Sequence, residues 1–398
     1  MNFGPLTGVR ILDLSTMIAA PFGATLLGDF GADVIKIEMP NKGDSLRGMG
    51  PFKDSEPLRW PALARNKKSL TLDLHTEEGK DILKKLVAKS DVVIENFRPG
   101  TLEKWGIGYD VLKEANPNII LMRVSGYGQT GPYAEKAGFG TPATAFSGFT
   151  YLHGYTDRPP ISPSFSLVDY ITGIYVAFGT AAALYYRDAK EGTGQMIDIG
   201  LYESVFRMME FLVADYDQNG IIKERSPGLS GHSSPAGTFQ TKDGHWVVLV
   251  TSSDRTFERL AKAMNREDML TDEMFYTNKV RLENFDVTNG IVADFVKGLN
   301  RDELQKLLDE YGVPISPINS IKDIFENPQF QSRDNIVEIE HPRLGSIKMP
   351  GIVPKFSETP GKIRSIGPDL SEHTDQILEE LVGLSPEKIS ELKSKNVI

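Results

Sequence analysis

Val9-Arg10-Ile11-Leu12-Asp13-Leu14, then a helical pattern over Pro21 to Asp29, then Val34-Ile35-Lys36-Ile37-Glu38: this stretch decides the fold. Two β-branched and aliphatic runs on either side of one helix-length segment spell strand, helix, strand. The rhythm repeats downstream. Ser69 to Leu74 reads as extended, Thr76 to Ser90 as an amphipathic helix, Asp91 to Glu95 as an apolar strand, Thr101 to Glu114 as helix and Ile119 to Ser125 as another strand. Such alternation predicts an α/β, doubly wound, Rossmann-like parallel sheet with helices on both faces. Ligands in these sheets gather beyond the carboxyl ends of the strands. That singles out the loops at Thr16–Ala20, Met39–Asn41, Asn96–Gly100 and Gly126–Pro132.

Further along, Gly138 to Gly154 is rich in small residues, an apolar helix runs from just after Asp169 to about Arg187, and Gln195 to Ile199 is a strand. The pattern loosens between Asp217 and Pro235, where Asn219-Gly220 signals a turn. A hairpin over Gly237 to Val250, with helices near Asp254–Met264, Leu282–Leu299 and Asp302–Tyr311, then predicts a smaller α+β lobe. The expected organisation is a large lobe over 1–224, a small lobe over 225–330, and a segment over 331–398 that returns to the large lobe. The uncharged stretch Tyr170 to Tyr186 falls short of the roughly 20 residues that span a bilayer, and it reads as a buried core helix.

Composition narrows the chemistry. The 398 residues include no cysteine, which excludes a thiol nucleophile, thiolate zinc and cysteine-held iron–sulfur clusters. Six histidines stand at 75, 153, 232, 245, 341 and 373, without the close pairing of a metal-binding helix, so no metal is expected. With 44 basic against 54 acidic residues the net charge is −10, which argues against a nucleic-acid partner. The start, Met1-Asn2-Phe3-Gly4-Pro5, lacks a cationic segment followed by an apolar run, so the expected location is cytoplasmic, with no membrane partner.

Gly126-Tyr127-Gly128-Gln129-Thr130-Gly131 fits G-x-G-x-x-G after a strand, but no apolar helix follows it; a glycine-shaped active-site loop suits it better than a dinucleotide fingerprint. Asp169 stands at the start of the apolar helix and admits two readings. It is an N-cap for orphan amides, or an anionic nucleophile kept ionised by the helix N-terminus, able to attack an activated acyl group without a partner base. The cluster Arg65-Asn66-Lys67-Lys68 is either a solvated loop or a phosphate contact. Arg98 and Lys104, beside Asn96-Phe97-Arg98-Pro99-Gly100, are placed where cations meet phosphate near a helix start.

Taken in order, several strings resemble the family III coenzyme A transferases over nearly the whole chain. They include Gly31-Ala32-Asp33-Val34-Ile35-Lys36-Ile37-Glu38, Glu95-Asn96-Phe97-x-Pro99-Gly100, Ser125-Gly126-Tyr127-Gly128-Gln129-Thr130-Gly131-Pro132, Asp169 with Gly173, and Gly192-x-Gly194-Gln195-x-Ile197-Asp198. The resemblance implies an intertwined homodimer and a catalytic aspartate at Asp169. It also implies coenzyme A contacts at Leu72, Asp73, Leu74, His75 and Asn96, basic residues near the phosphates at Lys104 and Arg98, and a substrate loop at Gly128 and Gln129. Acyl-CoA is then substrate, with no tightly bound cofactor and no metal. Succinyl-CoA and a small carboxylic acid are the expected pair.

Departures bear on specificity. Ile18 stands where formyl-CoA-using members have a glutamine, and Met39 replaces an arginine. Gly228-Leu229-Ser230-Gly231-His232-Ser233-Ser234 replaces a four-glycine loop and is more like the dicarboxylate-using members, which makes His232 a candidate contact for the acceptor. An α-methylacyl-CoA racemase shares the glycine loop but needs a base on each face of the α-carbon. Here Ala137-Gly138 leads into Phe139-Gly140, which cannot move a proton. A catalytically silent CoA-binding protein is the remaining alternative.

Overall fold

The computed structural model describes residues 4–226, 231–251 and 253–398. Six parallel strands form the main sheet: β1 (Arg10–Asp13), β2 (Asp33–Glu38), β3 (Lys67–Thr71), β4 (Val92–Glu95), β5 (Ile120–Ser125) and β6 (Met196–Gly200). Their spatial order is β3-β2-β1-β4-β5-β6, the doubly wound arrangement. Central strands covered on both faces read as unbroken apolar runs. Val92, Val93 and Ile94 are accordingly fully buried, as are Ile120, Leu121 and Met122.

Four helices position the site: α1 (Ala19–Asp29), α2 (Thr101–Lys104), α3 (Gly140–Phe146) and α4 (Leu167–Ala189). The single helix expected over Thr101 to Glu114 is interrupted after α2 and resumes at Tyr109–Ala115. Gly106, at φ +74°, takes a left-handed conformation there that a helix cannot contain. Helix Glu77–Val87 shows the opposite case of full agreement between local signals. Thr76 caps it by accepting from the Gly79 N–H, acids occupy its first turn and lysines its last, and Ile82, Leu83, Leu86 and Val87 form its inner face.

The chain divides into two compact units. The first comprises residues up to 150 with 162–221 and 331–398, the second 151–161 with 222–330. Ile377, Leu378, Ile389, Leu392, Val397 and Ile398 share one core with Leu12, Ile35 and Leu83, and Asp73 N–H donates to the Val397 carbonyl at 2.7 Å. Residues 151–161 differ from the lobe boundary read from sequence. They group with the second unit because Tyr151 donates to Glu224 at 2.6 Å and Arg225 Nε donates to the carbonyls of Tyr155 and Arg158. The second unit has a three-stranded antiparallel sheet, Ala236–Gln240, Trp246–Val250 and Ile315–Pro317. It packs around Phe239, Val247, Phe257, Leu260, Val292 and Leu304.

Helix α4 is buried along one side only. Thr172, Gly173, Val176 and Thr180 face inward, whereas Ile174 and Phe178 are 56% and 69% exposed. The buried core helix expected from sequence is therefore half correct within a single chain. Its inner face meets α1 at very close range: a Cβ on Gly173 would lie 2.7 Å from Phe22 Cδ1 and 2.8 Å from the Ala19 carbonyl oxygen. Glycine at that position permits the crossing.

Candidate active site

The winding of the sheet reverses between β1 and β4, so the strand ends there open a crevice. Asn96, the first residue past β4, spans it. Its Oδ1 accepts the Thr16 N–H at 2.8 Å and its Nδ2 donates to the Thr16 carbonyl at 2.7 Å. Beside this pair lies a cleft lined by Thr16, Met39, Leu72, Leu74, His75 and Trp105. Trp105 meets His75 and Phe97 edge-on, at ring separations of 4.7 and 5.0 Å. Asp73 Oδ1 accepts the His75 backbone N–H and sits 2.8 Å from His75 Nδ1, which orients the imidazole. Leu72, Leu74 and His75 thus line the cleft, while Asp73 and Asn96 reach it through their bonds to His75 and Thr16.

Arg98 and Lys104 are exposed, one beside Phe97 and the other beside Trp105. Among the described residues neither is paired with a carboxylate. Phe97 and Trp105, their neighbours in sequence, line the cleft, and an aromatic and apolar wall of this kind suits a ring system. The cluster at 65–68 is fully engaged elsewhere. Arg65 is bidentate to Asp29, Asn66 also bonds Asp29, Lys67 is buried against Asp13 at 2.8 Å, and Lys68 pairs with Asp33. It is neither a solvated loop nor a phosphate site. Of the two departures from the formyl-CoA pattern, Met39 lines the cleft, whereas Ile18 is buried with Leu46, Trp60 and Ala64.

Asp169 is the third residue of α4, not its N-cap; Ser166 holds the cap position. Half-buried, its carboxyl is pushed up to about 6 by desolvation, opposed by the hydrogen bond from its own backbone N–H. This rise comes from burial and leaves the sequence reading of an anion at neutral pH unaltered. At neutral pH it is still mostly the anion, and poorly hydrated, which favours nucleophilic attack. The carboxylate lies against Gly140, where a Cβ would sit 2.2 Å from Asp169 Oδ2. Gly138 and Gly126 touch in the same way, a Cβ on Gly138 reaching to 2.5 Å of the Gly126 Cα. Tyr170 meets Phe22 edge-on at 5.0 Å and packs on the cluster containing Ile18. The segment Thr16–Ile18 therefore runs from the cleft to the start of the Asp169 helix.

In the glycine loop, Gly128 takes φ +86° and the Gln129 N–H donates to Asp198 Oδ2 at 2.8 Å. Gln129 Nε2 is buried and, among the described residues, has no hydrogen-bond partner. Asp198 was part of a sequence string, but its hold on this loop depends on a tertiary contact that spacing does not reveal. His232 is exposed in the second unit, and its carbonyl accepts from Asn278 Nδ2 at 3.1 Å. Gly228, Leu229 and Ser230 of its loop lie outside the described residues. Phe139 is 70% exposed, and neither it nor Gly140 supplies the base a racemase needs.

The fold is a doubly wound α/β sheet with a crevice at its switch point. CoA-transferase family III matches residues 6–374. The chain is 46% identical to the succinyl-CoA–L-malate CoA-transferase beta subunit of Chloroflexus aurantiacus, covering 99% of this chain and 98% of that one. It is 33% identical to the human succinyl-CoA:glutarate CoA-transferase, covering 100% and 90%. The crystal structure of a CAIB/BAIF family protein from Brucella suis superposes with a TM-score of 0.84 at 32% identity, over 95% of this chain and 100% of that one. The chain belongs to CoA-transferase family III, and its activity is transfer of coenzyme A between carboxylic acids.

Proposed function

We propose that this enzyme moves coenzyme A from succinyl-CoA to a small dicarboxylic or hydroxy-dicarboxylic acid, with Asp169 as the covalent nucleophile. The observation that carries the mechanism is the desolvated carboxylate of Asp169 on the Cα of Gly140. Asp169 attacks the donor thioester carbonyl, forming a mixed anhydride and releasing CoA thiolate. The thiolate attacks the aspartyl carbonyl, giving an aspartyl-CoA thioester and free succinate. The acceptor carboxylate then attacks that thioester, forming a second anhydride and again releasing the thiolate. Attack of the thiolate on the acceptor carbonyl yields the new acyl-CoA and regenerates Asp169. Each step exchanges one activated acyl bond for another, so the thioester energy is conserved.

The nucleotide end of CoA is assigned to the crevice of Leu72, Asp73, Leu74, His75 and Asn96, with Arg98 and Lys104 toward the phosphates. Gly128 and Gln129 are assigned to the substrate loop and His232 to the acceptor. Support for succinyl-CoA and for a dicarboxylate acceptor comes from relatives named for malate and glutarate at 46% and 33% identity. An intertwined homodimer is part of this reading. The exposed apolar side of α4, including Ile174, Phe178 and Tyr185, supports it, since such a face is normally covered.

The test is a panel of acyl-CoA donors against malate, citramalate, glutarate and monocarboxylic acids, with CoA products identified by mass spectrometry. Exchange from succinyl-CoA to a dicarboxylate is expected; preference for a monocarboxylate pair would refute the assignment. Hydroxylamine added during turnover should convert the Asp169 peptide to its hydroxamate.

A further inference from the structure

Beneath the loop that follows β4 lies an ionic clamp, buried at Glu95 and Arg123, that takes no part in the acyl-exchange steps. Glu95, the last residue of β4, is fully buried; its Oε1 accepts Arg123 Nε at 2.6 Å and its Oε2 accepts the Phe97 N–H at 2.6 Å. Arg123, on β5 and 4% exposed, uses its other two nitrogens on Glu103, at 2.7 and 3.2 Å. Glu103 belongs to α2 and precedes Lys104. One guanidinium thereby fixes two segments: the Asn96–Phe97 turn through Glu95, and the Glu103–Trp105 segment through Glu103.

Both carboxylates take directional bonds from one planar group, an arrangement that sets orientation as well as distance. Burial makes Glu95 costly to ionise, pushing its carboxyl up to about 7 against the opposing pull of Arg123. A buried charge pair is weak support for stability, because well-packed apolar residues serve as well or better. Three charged groups here meet only at the base of the segments that carry Asn96, Arg98 and Lys104.

We infer that Arg123, through Glu95 and Glu103, is a positioning residue for coenzyme A, setting the spacing between the Asn96 turn and the Lys104–Trp105 segment that receive the nucleotide. This rests on the crevice assignment made above. Glu103→Gln breaks the outer half of the clamp at a side chain that is 46% exposed, so folding should survive. Arg123→Lys keeps the charge and loses the fork.

Calorimetric binding of free CoA to both variants should weaken by roughly tenfold, the scale of a misaligned charge-assisted contact. The kcat at saturating succinyl-CoA should stay within about twofold of wild type, and Glu103→Gln should keep its melting temperature, a pattern that a purely structural lesion does not produce. Asn96→Ala and Lys104→Ala are measured in parallel. If these two weaken CoA binding while Glu103→Gln and Arg123→Lys leave it unchanged, the clamp is overturned and the crevice stands. If all four bind CoA as wild type, both are overturned.

Discussion

Asp169 Oδ2 and the Cα of Gly140 are in contact so close that a methyl group on residue 140 would lie 2.2 Å from the carboxylate oxygen. The atom that must yield is the end of a short side chain, so the fold can absorb a Cβ by turning the carboxylate away. Function cannot. Gly140→Ala is therefore expected to melt within a few degrees of wild type and to lose roughly 10²-fold in acyl exchange, the scale of a nucleophile displaced by about 1 Å. Wild-type exchange by a folded Gly140→Ala would show that this contact does not set the nucleophile.

Desolvation of Asp169 predicts a pH signature. With the carboxyl near 6, kcat/KM should fall tenfold per pH unit below about pH 6 as the nucleophile protonates, and should flatten above it. Asp169→Ala should remove about 10⁴-fold or more of the exchange rate, as loss of a nucleophile does elsewhere. Stability carries the opposite sign. The folded carboxyl holds its proton up to about 6, above its ordinary 3.8, so its contribution is full below about 3.8 and is lost as pH rises through the interval to 6. Asp169→Asn should consequently melt above wild type at pH 7, with the difference shrinking toward pH 4. A melting gap that grows on acidification would contradict the burial account.

Gly173, one turn after Asp169, makes a different demand. A methyl there would meet the Ala19 carbonyl oxygen at 2.8 Å and Phe22 at 2.7 Å; on the facing helix, a methyl on Gly23 would meet the Gly173 carbonyl oxygen at 2.9 Å. Backbone cannot swing aside as a carboxylate can. Gly173→Ala is expected to cost about 1–3 kcal/mol, the range for overpacking, and to reduce exchange as well, because the helix moves with its nucleophile. Denaturant unfolding and exchange assays on one preparation test the coupling; lost activity at unchanged stability would deny it.

The sheet was legible in the sequence because strands covered on both faces leave unbroken apolar runs, such as Val92-Val93-Ile94, that turn signals separate. The strand-end rule also singled out the loop of Asn96 and Arg98, whereas His75 entered only through the family resemblance. The upward shift of the Asp169 carboxyl was not legible. A helix start argues for a low value and burial for a high one, and only tertiary packing decides the balance. Likewise the break in the predicted Thr101 helix turns on a left-handed φ at Gly106, invisible to periodicity. Glu95, Arg123 and Glu103 read separately as a strand end, a strand centre and a helix acid; their union exists only once β4 and β5 pair.

The exposed side of α4 leads to the last prediction. Ile174, Phe178 and Tyr185, at 56%, 69% and 60% exposure, follow helical spacing on the face opposite Gly173 and Val176. A stripe of large apolar groups in water is unfavourable by about 25 cal/mol for each Å² left uncovered. In the homodimer proposed above, a second copy would cover it without altering the Asp169 side of the helix. Sedimentation equilibrium of the wild type is expected to give twice the 44.1 kDa chain mass. Phe178→Glu should shift the mass toward a single chain or leave the protein insoluble, because a buried unpaired carboxylate opposes association. A wild-type mass of one chain, with full exchange activity, would remove the dimer from the proposed function and leave the α4 face without an explanation.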